Sequence, residues 1–225
     1  MTLIVDRLIN IMKWPVAASM LFLLPFLWTE IPPLLLKTVT STFLPFWGGV
    51  FGYVILWKVW FRRFGSFLPT LEHELTHAIF AILTGHRVVG FAVRWNRGGH
   101  IRYIGGEGNW WITIAPYVFP LFLIISLPVL AIYITDDLVR GVSLGVIFGF
   151  ELISTWREIH RNQPDLKEVG WIFCFVFLPP ALLTVYGSVL YFLSSDLSSL
   201  FLWHQEGLYS IWAVLQEVWN GRNLH

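Results

Sequence analysis

The chain has 225 residues, of which 56% are hydrophobic and only 13% are charged, and its mean hydropathy is +0.66. This balance lies outside the usual range of water-soluble domains and predicts an integral, multi-pass membrane protein with the lipid bilayer as its partner. The formal net charge of +1 comes without a basic stripe or a recognised binding motif, so no nucleic-acid partner is expected.

Apolar segments occur along the whole chain. A helix needs roughly 20 mostly apolar residues to cross the hydrocarbon core, and on that criterion we predict an all-α polytopic membrane protein with about six transmembrane helices. The candidate spans are residues 15–36, 42–61, 66–84, 110–134, 138–156 and 169–193. A last stretch, residues 197–219, carries His204, Glu206 and Glu217 among apolar residues and is expected to be an interfacial amphipathic helix or a seventh span.

The residue composition changes between the third and fourth candidate spans. Residues 87–95 and 100–104 are rich in valine, isoleucine and aromatic residues, and they flank the turn signal Asn96-Arg97-Gly98-Gly99. This pattern predicts a small β-hairpin.

The third candidate span contains the string His73-Glu74-Leu75-Thr76-His77. Residues four apart share one face of a helix, so both imidazoles can reach the same metal ion. Neutral imidazoles suit Zn²⁺, and a carboxylate beside a metal-bound water can take its proton and pass it to a leaving amine. The pattern therefore predicts a zinc site with Glu74 as a catalytic base.

Glu72, His73, Glu74 and His77 form an ionisable cluster within an apolar segment. Each acid costs about 2.5 to 3.5 kcal/mol there on membrane-insertion scales, so the cluster needs compensation. A divalent cation would supply it by neutralising carboxylate charge. Two alternatives stay open: a polar cluster that pairs internally and holds helices together, or a proton or ion pathway.

A catalytic zinc site usually has three protein ligands, so a third donor is expected elsewhere in the chain. We predict Asp165, because Pro164 suits the first turn of a helix and places Asp165 just inside the helix start. The rival third ligands are His160, Glu151, Asp136 and Asp137. Histidines without ligand spacing, expected at the surface or the interface, are His86, His100, His204 and His225.

Taken together, these motifs resemble the site-2 protease family of intramembrane zinc metallopeptidases. The resemblance covers roughly residues 66–193. It rests on the segments His73-Glu74-Leu75-Thr76-His77-Ala78, the hairpin, Gly108-Asn109-Trp110-Trp111, Ala115-Pro116-Tyr117 and a late loop that contains aspartate. The chain is a divergent relative, because the best-known form places its late aspartate in an Asn-Pro-rich, Leu-Asp-Gly context. Here the string is Asn162-Gln163-Pro164-Asp165-Leu166.

The resemblance implies zinc held by two histidines and a late aspartate, a glutamate base, and membrane-protein or peptide substrates. It also implies that Asn109 binds the substrate backbone, although Asn109 is equally suited to cap the following helix. The hairpin either holds an extended substrate at its strand edge or shields the site from lipid. The expected organisation is N-terminal membrane helices in residues 1–65, a metallopeptidase core in 66–193 and a C-terminal amphipathic or membrane helix in 194–225.

We therefore predict a zinc-dependent intramembrane metalloendopeptidase in which His73, His77 and Asp165 bind the metal, Glu74 is the general base and a zinc-bound water is the nucleophile. Two other functions remain open. One is a non-catalytic membrane scaffold or regulator that keeps the zinc-site fold, and the other is a proton-coupled transporter that uses Glu72 and Glu74.

Overall fold

The structure is a computed structural model that describes residues 2–38, 43–63, 67–95, 98–194 and 197–222. Several residues used in the sequence analysis lie outside these ranges: Thr42, Ser66, Asn96, Arg97 and His225.

Within the described ranges the chain is mostly helical and contains one two-stranded sheet. The elements in chain order are α1 (Thr2–Ile11), α2 (Lys13–Thr38), α3 (Leu44–Val59), α4 (Phe67–Leu83), β1 (Arg87–Val93), β2 (Gly99–Ile104), α5 (Trp110–Ile114), α6 (Leu121–Tyr133), α7 (Asp137–Glu158), α8 (Pro164–Val169), α9 (Trp171–Ser194) and α10 (Leu197–Arg222). Short 3-10 helices cover Phe61–Arg63 and Ala115–Tyr117. The predicted helical class and the hairpin are confirmed.

Three of these helices, α2, α7 and α9, are long and apolar enough to cross a membrane. A fourth crossing results if α5 and α6, which are bent by 61° relative to each other, count as one broken span. The shorter apolar helix α3 has 16 residues, and α4 has 17. At 1.5 Å per residue these two helices are about 24 to 26 Å long, which is less than the roughly 30 Å thickness of a hydrocarbon core.

Large apolar side chains cover much of the protein surface. Trp28, Trp156 and Phe175 are each more than four-fifths exposed, and they belong to the three long apolar helices. A water-soluble protein rarely exposes so many large apolar residues, whereas a surface in contact with lipid requires them. The exposed surface therefore agrees with the apolar composition.

The fourth candidate span, residues 110–134, is not the single helix that the sequence analysis predicts. Pro116 and Pro120 remove two backbone donors and restrict the preceding backbone, so the segment breaks into α5, a 3-10 turn and α6. The break exposes the first amide groups of α6. Glu72 accepts a hydrogen bond from the Phe122 amide (3.2 Å), and Glu151 accepts one from the Leu123 amide (3.0 Å). Buried carboxylates thus satisfy backbone groups that lipid cannot.

The described residues form two compact units, the first of which comprises α1, the hairpin and α3 to α8. In this unit α3 packs against α7 through glycines that allow the backbones to approach closely. A Cβ atom at Gly49 would overlap the Val142 carbonyl oxygen, and one at Gly145 would overlap the Phe46 carbonyl oxygen. Gly141, Gly145 and Gly149 recur at four-residue spacing on α7 and line the contact with α3.

The second unit consists of α2, α9 and α10. Its core contains Leu23 and Leu27 from α2 and Trp203 from α10. The Trp203 ring stacks on Tyr191 of α9 with the ring centroids 5.5 Å apart. Aromatic packing of this kind joins the three helices of the unit.

The hairpin follows α4 directly. Gly85, two residues after the end of α4, adopts a φ of 86°, a conformation that only glycine adopts without strain. It therefore stops the helix and starts the turn into β1. β1 and β2 pair in antiparallel register from Arg87 opposite Ile104 to Val93 opposite Gly99, with one irregularity between Val88 and Gly90. The hairpin packs against α4, and this contact brings the start of β2 to the helix that carries the histidines.

The close contact between α3 and α7 predicts a sharp difference between two adjacent glycines. Gly49→Ala should lower the free energy of unfolding by about 1 to 3 kcal/mol, because the added methyl group overlaps α7 backbone. The matched control Gly48→Ala adds the same group where no atom lies within 4 Å, and it should be neutral or stabilising by up to about 1 kcal/mol. Thermal unfolding in detergent micelles measures both. Equal midpoints for the two variants would contradict the packing described.

Candidate metal centre

The two histidines of the motif lie one turn apart on α4 and point the same way. His73 and His77 are 8% and 7% exposed, and their rings meet edge to face with centroids 4.7 Å apart. Their Nε2 atoms are 3.1 Å apart. The helical spacing therefore brings two nitrogen donors to one point, as the sequence analysis predicts.

Asp165 completes this group from a different part of the chain. Pro164 begins the short helix α8, so Asp165 stands in its first turn, and its Oδ2 atom lies 3.1 Å from the His73 Nε2 and 3.3 Å from the His77 Nε2. Its carboxylate thus places an oxygen donor at the same point as the two nitrogen donors.

The triangle of donor atoms has the dimensions of a zinc site. Ligand atoms about 2.0 to 2.1 Å from a tetrahedral ion lie roughly 3.3 Å from one another. The three sides observed are 3.1, 3.1 and 3.3 Å. Among the residues that the structure describes, His73, His77 and Asp165 are the group of histidine, cysteine and acidic side chains that could hold a metal ion. The residues fit zinc in both geometry and donor chemistry.

Both imidazoles are oriented through their other ring nitrogen. The Nδ1 atom of His73 lies 2.7 Å from the Glu158 Oε2, and the Nδ1 of His77 lies 2.8 Å from the carbonyl oxygen of Ile112. A carbonyl oxygen only accepts hydrogen bonds, so Nδ1 of His77 is the donor there, and a carboxylate imposes the same role on Nδ1 of His73. Each neutral ring therefore presents the lone pair of Nε2 to the centre of the site, as metal-binding histidines do.

Tyr117 supports the aspartate. Its side chain is fully buried, and its hydroxyl donates to the Asp165 Oδ2 at 3.0 Å. The Tyr117 ring also meets the His73 ring edge to face, with centroids 5.3 Å apart. One side chain thus fixes the position of two of the three donor residues.

Glu74 lies beside the donor triangle in a cavity of about 580 Å³. It interacts electrostatically with both imidazoles and is 8% exposed. Gly99, the first residue of β2, packs against it so closely that a Cβ atom there would stand 2.5 Å from the Glu74 Cγ and 2.9 Å from its Oε1. The hairpin therefore sets the position of the Glu74 carboxyl group.

The rival third ligands are elsewhere. His160 lines the cavity, but its Nδ1 accepts the Asn162 amide at 3.2 Å. Glu151 accepts the Leu123 amide, Asp136 accepts the Val139 amide as the N-cap of α7, and Asp137 pairs with Arg140. None of the four belongs to the donor group formed by the described residues.

Asn109 is buried, and both halves of its amide are engaged. Its Oδ1 accepts the Ile112 amide and caps α5, while its Nδ2 donates to the Asp6 Oδ1 at 2.7 Å. The helix-cap role considered for this residue is therefore observed. In this conformation the Oδ1 and Nδ2 atoms of Asn109 thus bind protein groups and not a substrate backbone. The contact between Asn109 and the substrate stays a prediction.

The prediction of a surface position for His86 is wrong. His86 is 4% exposed, and its Nε2 lies 3.1 Å from the Oδ2 of Asp6, which is itself 1% exposed. The same carboxylate accepts the amides of Glu107 and Gly108 at 3.0 and 3.2 Å. Spacing rules for metal ligands cannot detect this pair, because its partner lies on a helix far away in the sequence.

Sequence reasoning also missed Glu158 and Tyr117 as parts of the site. A weak signal existed for Glu158, which ends α7 and begins the polar segment that leads to Asp165. Tyr117 carried no chemical signal of its own. The Ile112 carbonyl could not be found at all, since every residue has such a group.

Comparison with known proteins gives one match at the family level. Residues 46–220 match the family model described as Peptidase M50B-like. The matched range contains α4, the hairpin, α8 and every residue of the donor triangle. No curated protein matches the chain. No solved structure matches it either.

The contact between Glu158 and His73 predicts an effect on metal affinity. Glu158→Gln removes the charge that orients the His73 ring, and we expect zinc affinity to fall by about 10- to 100-fold. Competition with a chromogenic chelator measures the zinc affinity. Glu168→Gln makes the same chemical change at an exposed position of α8 and should leave the affinity unchanged. Equal affinities for the two variants would exclude a role for Glu158 in metal binding.

Proposed function

The chain belongs to the Peptidase M50B-like family, a family of integral membrane site-2 proteases, and from this we propose that it is an intramembrane zinc metallopeptidase that cleaves membrane proteins. The observation that carries the proposal is the triangle of two Nε2 atoms and one Oδ2 atom, with sides of 3.1 to 3.3 Å, beside a glutamate. The family and the donor geometry point to the same chemistry independently.

His73, His77 and Asp165 are the residues that we propose to hold the ion. When bound, zinc polarises a peptide carbonyl and acidifies water. Glu158, the Ile112 carbonyl and Tyr117 keep the three donors in place before the ion arrives. Preorganisation of this kind lowers the cost of assembling the site in a medium where displaced polar groups find no water.

Glu74 is the general base in this proposal. Its carboxylate accepts a proton from the attacking water and then passes that proton to the amine that leaves when the peptide bond breaks. The cavity next to it has polar walls that include Thr70, Gln163 and Ser154, which gives water a place to reside at this depth. Gly99 keeps the carboxylate directed toward the donors.

The hairpin lies where it would hold a substrate. Residues 98–101, at the start of β2, line the same cavity as Glu74 and Asp165. A transmembrane helix hides its carbonyl groups in its own hydrogen bonds, so a segment must become extended before it is cleaved. A strand beside the catalytic glutamate offers backbone partners to that extended segment, and we propose this as the use of the hairpin.

We propose six membrane crossings for the chain, formed by α2, α3, α4, the α5–α6 pair, α7 and α9. The sequence of apolar segments supports this number, and the exposed apolar side chains of α3, such as Phe51 and Ile55, suit contact with lipid. The catalytic core in this proposal comprises residues 66–193. Because α3 and α4 are short, we propose that the bilayer is locally thin or penetrated by water around the proposed zinc donors.

Replacing the base tests the proposed function directly. Glu74→Gln should retain bound zinc and lower the cleavage of a synthetic transmembrane peptide by about 10²- to 10⁴-fold, because the variant cannot accept the proton. Metal analysis and mass spectrometry of the peptide products measure the two effects. Glu168→Gln is the control, and its zinc content and its rate of peptide cleavage should equal those of the native protein.

Other outcomes of that experiment favour other functions. A native protein that binds zinc but cleaves no peptide, with its cellular role unchanged in Glu74→Gln, is a scaffold. A change in ion flux without any change in peptide products indicates a transporter. Purified protein that holds no stoichiometric divalent metal contradicts the peptidase proposal at its first step.

The packing of Gly99 on Glu74 gives a second prediction. Gly99→Ala should lower kcat by at least about 10-fold while zinc content stays native, since the added methyl group displaces the Glu74 carboxyl and not the metal donors. Gly90→Ala in β1 is the control, because its added methyl group meets only the flexible Arg102 side chain. Peptide cleavage and metal content are measured on the same preparations. Native kcat in the Gly99 variant would refute the positioning role.

A further inference from the structure

A second cavity of about 490 Å³ adjoins the catalytic cavity in the first unit. We call it the aromatic pocket, and its rings are Tyr53, Trp57, Trp60, Phe61, Phe67, Trp95 and Phe150. These residues come from α3, the segment just after it, the start of α4, the turn that follows β1, and α7. Cavities of this size and apolar character are typical of binding sites for small molecules and side chains.

The aromatic pocket and the catalytic cavity are neighbours. Pro69, Ser154 and Arg157 line both of them. These three residues lie near the start of α4 and the end of α7. A chain lying across the zinc donors therefore has an apolar space immediately beside it.

The walls of the aromatic pocket are held by contacts among its own rings. Tyr53 stacks on Phe61 with centroids 6.1 Å apart, and it meets Phe150 edge to face at 6.0 Å. Phe67 stacks on Trp95 at 5.4 Å. Ring pairs at these distances stabilise one arrangement, so the pocket exists before anything enters it.

The charge at the junction restricts what can enter. Among the described residues that line the aromatic pocket, Arg157 is the only charged one, and its guanidinium lies 5.7 Å from the centre of the Trp57 ring. A cationic side chain entering the pocket would meet this charge without an acidic partner. The pocket therefore suits an uncharged occupant with a large apolar or aromatic group.

We propose that the aromatic pocket is a specificity subsite that binds a large apolar or aromatic side chain of the substrate next to the peptide bond that is cleaved. This inference rests on the proposed peptidase function and names the residue class that the enzyme selects. In an extended segment successive side chains point to opposite faces, so a chain held along β2 directs alternate side chains toward one wall of the site. The three lining residues that the pocket shares with the catalytic cavity favour the substrate over a lipid chain as its occupant.

Filling the pocket tests the proposal through selectivity. Ile153 lines the aromatic pocket, whereas its neighbour Leu152 does not. Ile153→Trp should lower kcat/KM at least about 10-fold for a synthetic transmembrane peptide with Phe beside the cleaved bond, and leave the Ala-containing version within about twofold of native. Leu152→Trp introduces the same side chain one position away and should change neither. An equal effect of Ile153→Trp on both peptides would overturn the subsite.

Photocrosslinking gives a readout that does not require turnover. A photoreactive phenylalanine analogue replaces either Leu68, which lines the aromatic pocket, or Gln163, which lines the catalytic cavity, in the Glu74→Gln variant. The variant is reconstituted in phosphatidylcholine nanodiscs with the Phe-containing peptide. We expect crosslinks from both positions, with the Leu68 position joined to the Phe of the peptide.

The possible crosslinking results separate the two proposals. Crosslinks to the peptide from the Gln163 position alone, or crosslinks to lipid alone from the Leu68 position, overturn the aromatic subsite and leave the peptidase proposal standing. The absence of peptide crosslinks from both positions overturns the subsite and counts against the proposed function as well.

Discussion

Two imidazole nitrogens that face each other at 3.1 Å are the constraint on which the rest of the site depends. Because both rings donate through Nδ1, each neutral ring directs a lone pair at the other, and two such lone pairs repel one another. A carboxylate oxygen at 3.1 and 3.3 Å adds a third electron-rich atom to the same small space. A cation at the centre would relieve this repulsion. The groups around the site keep the three donor atoms in the arrangement that such a cation needs.

The surroundings of the site consist of contacts between segments that are distant in sequence. Glu158 is the last residue of α7, Tyr117 lies in the turn between α5 and α6, and the Ile112 carbonyl belongs to α5. The broken span is itself stabilised by carboxylates from α4 and α7, because lipid leaves no other partner for the first amides of α6. Glu72 and Glu151 thus bind backbone amides of α6, whereas Glu158 and Asp165 contact the histidines.

The sequence predicts local geometry better than it predicts contacts between distant segments. Helical spacing brings His73 and His77 together, so a local rule suffices for this pair. The approach of Asp165 depends on the fold, so the sequence alone leaves other acids and His160 as rival third ligands. Pro116 and Pro120 mark the break in residues 110–134 locally, but the carboxylates that satisfy the exposed amides come from other helices, and no local rule identifies them. The burial of His86 depends on Asp6 for the same reason, since pairing across the chain is a property of the fold.

The hydrogen bonds of Asp6 link α1 to His77, one of the proposed zinc donors. Asp6 on α1 holds the Asn109 amide, Asn109 caps α5, and the Ile112 carbonyl of α5 orients His77. Each step is a single hydrogen bond, so a displacement of α1 changes the direction of a ring that it never touches. For protein production, an affinity tag or fusion partner attached ahead of α1 can displace α1 and so disturb these hydrogen bonds. A tag attached after α10 does not act on them.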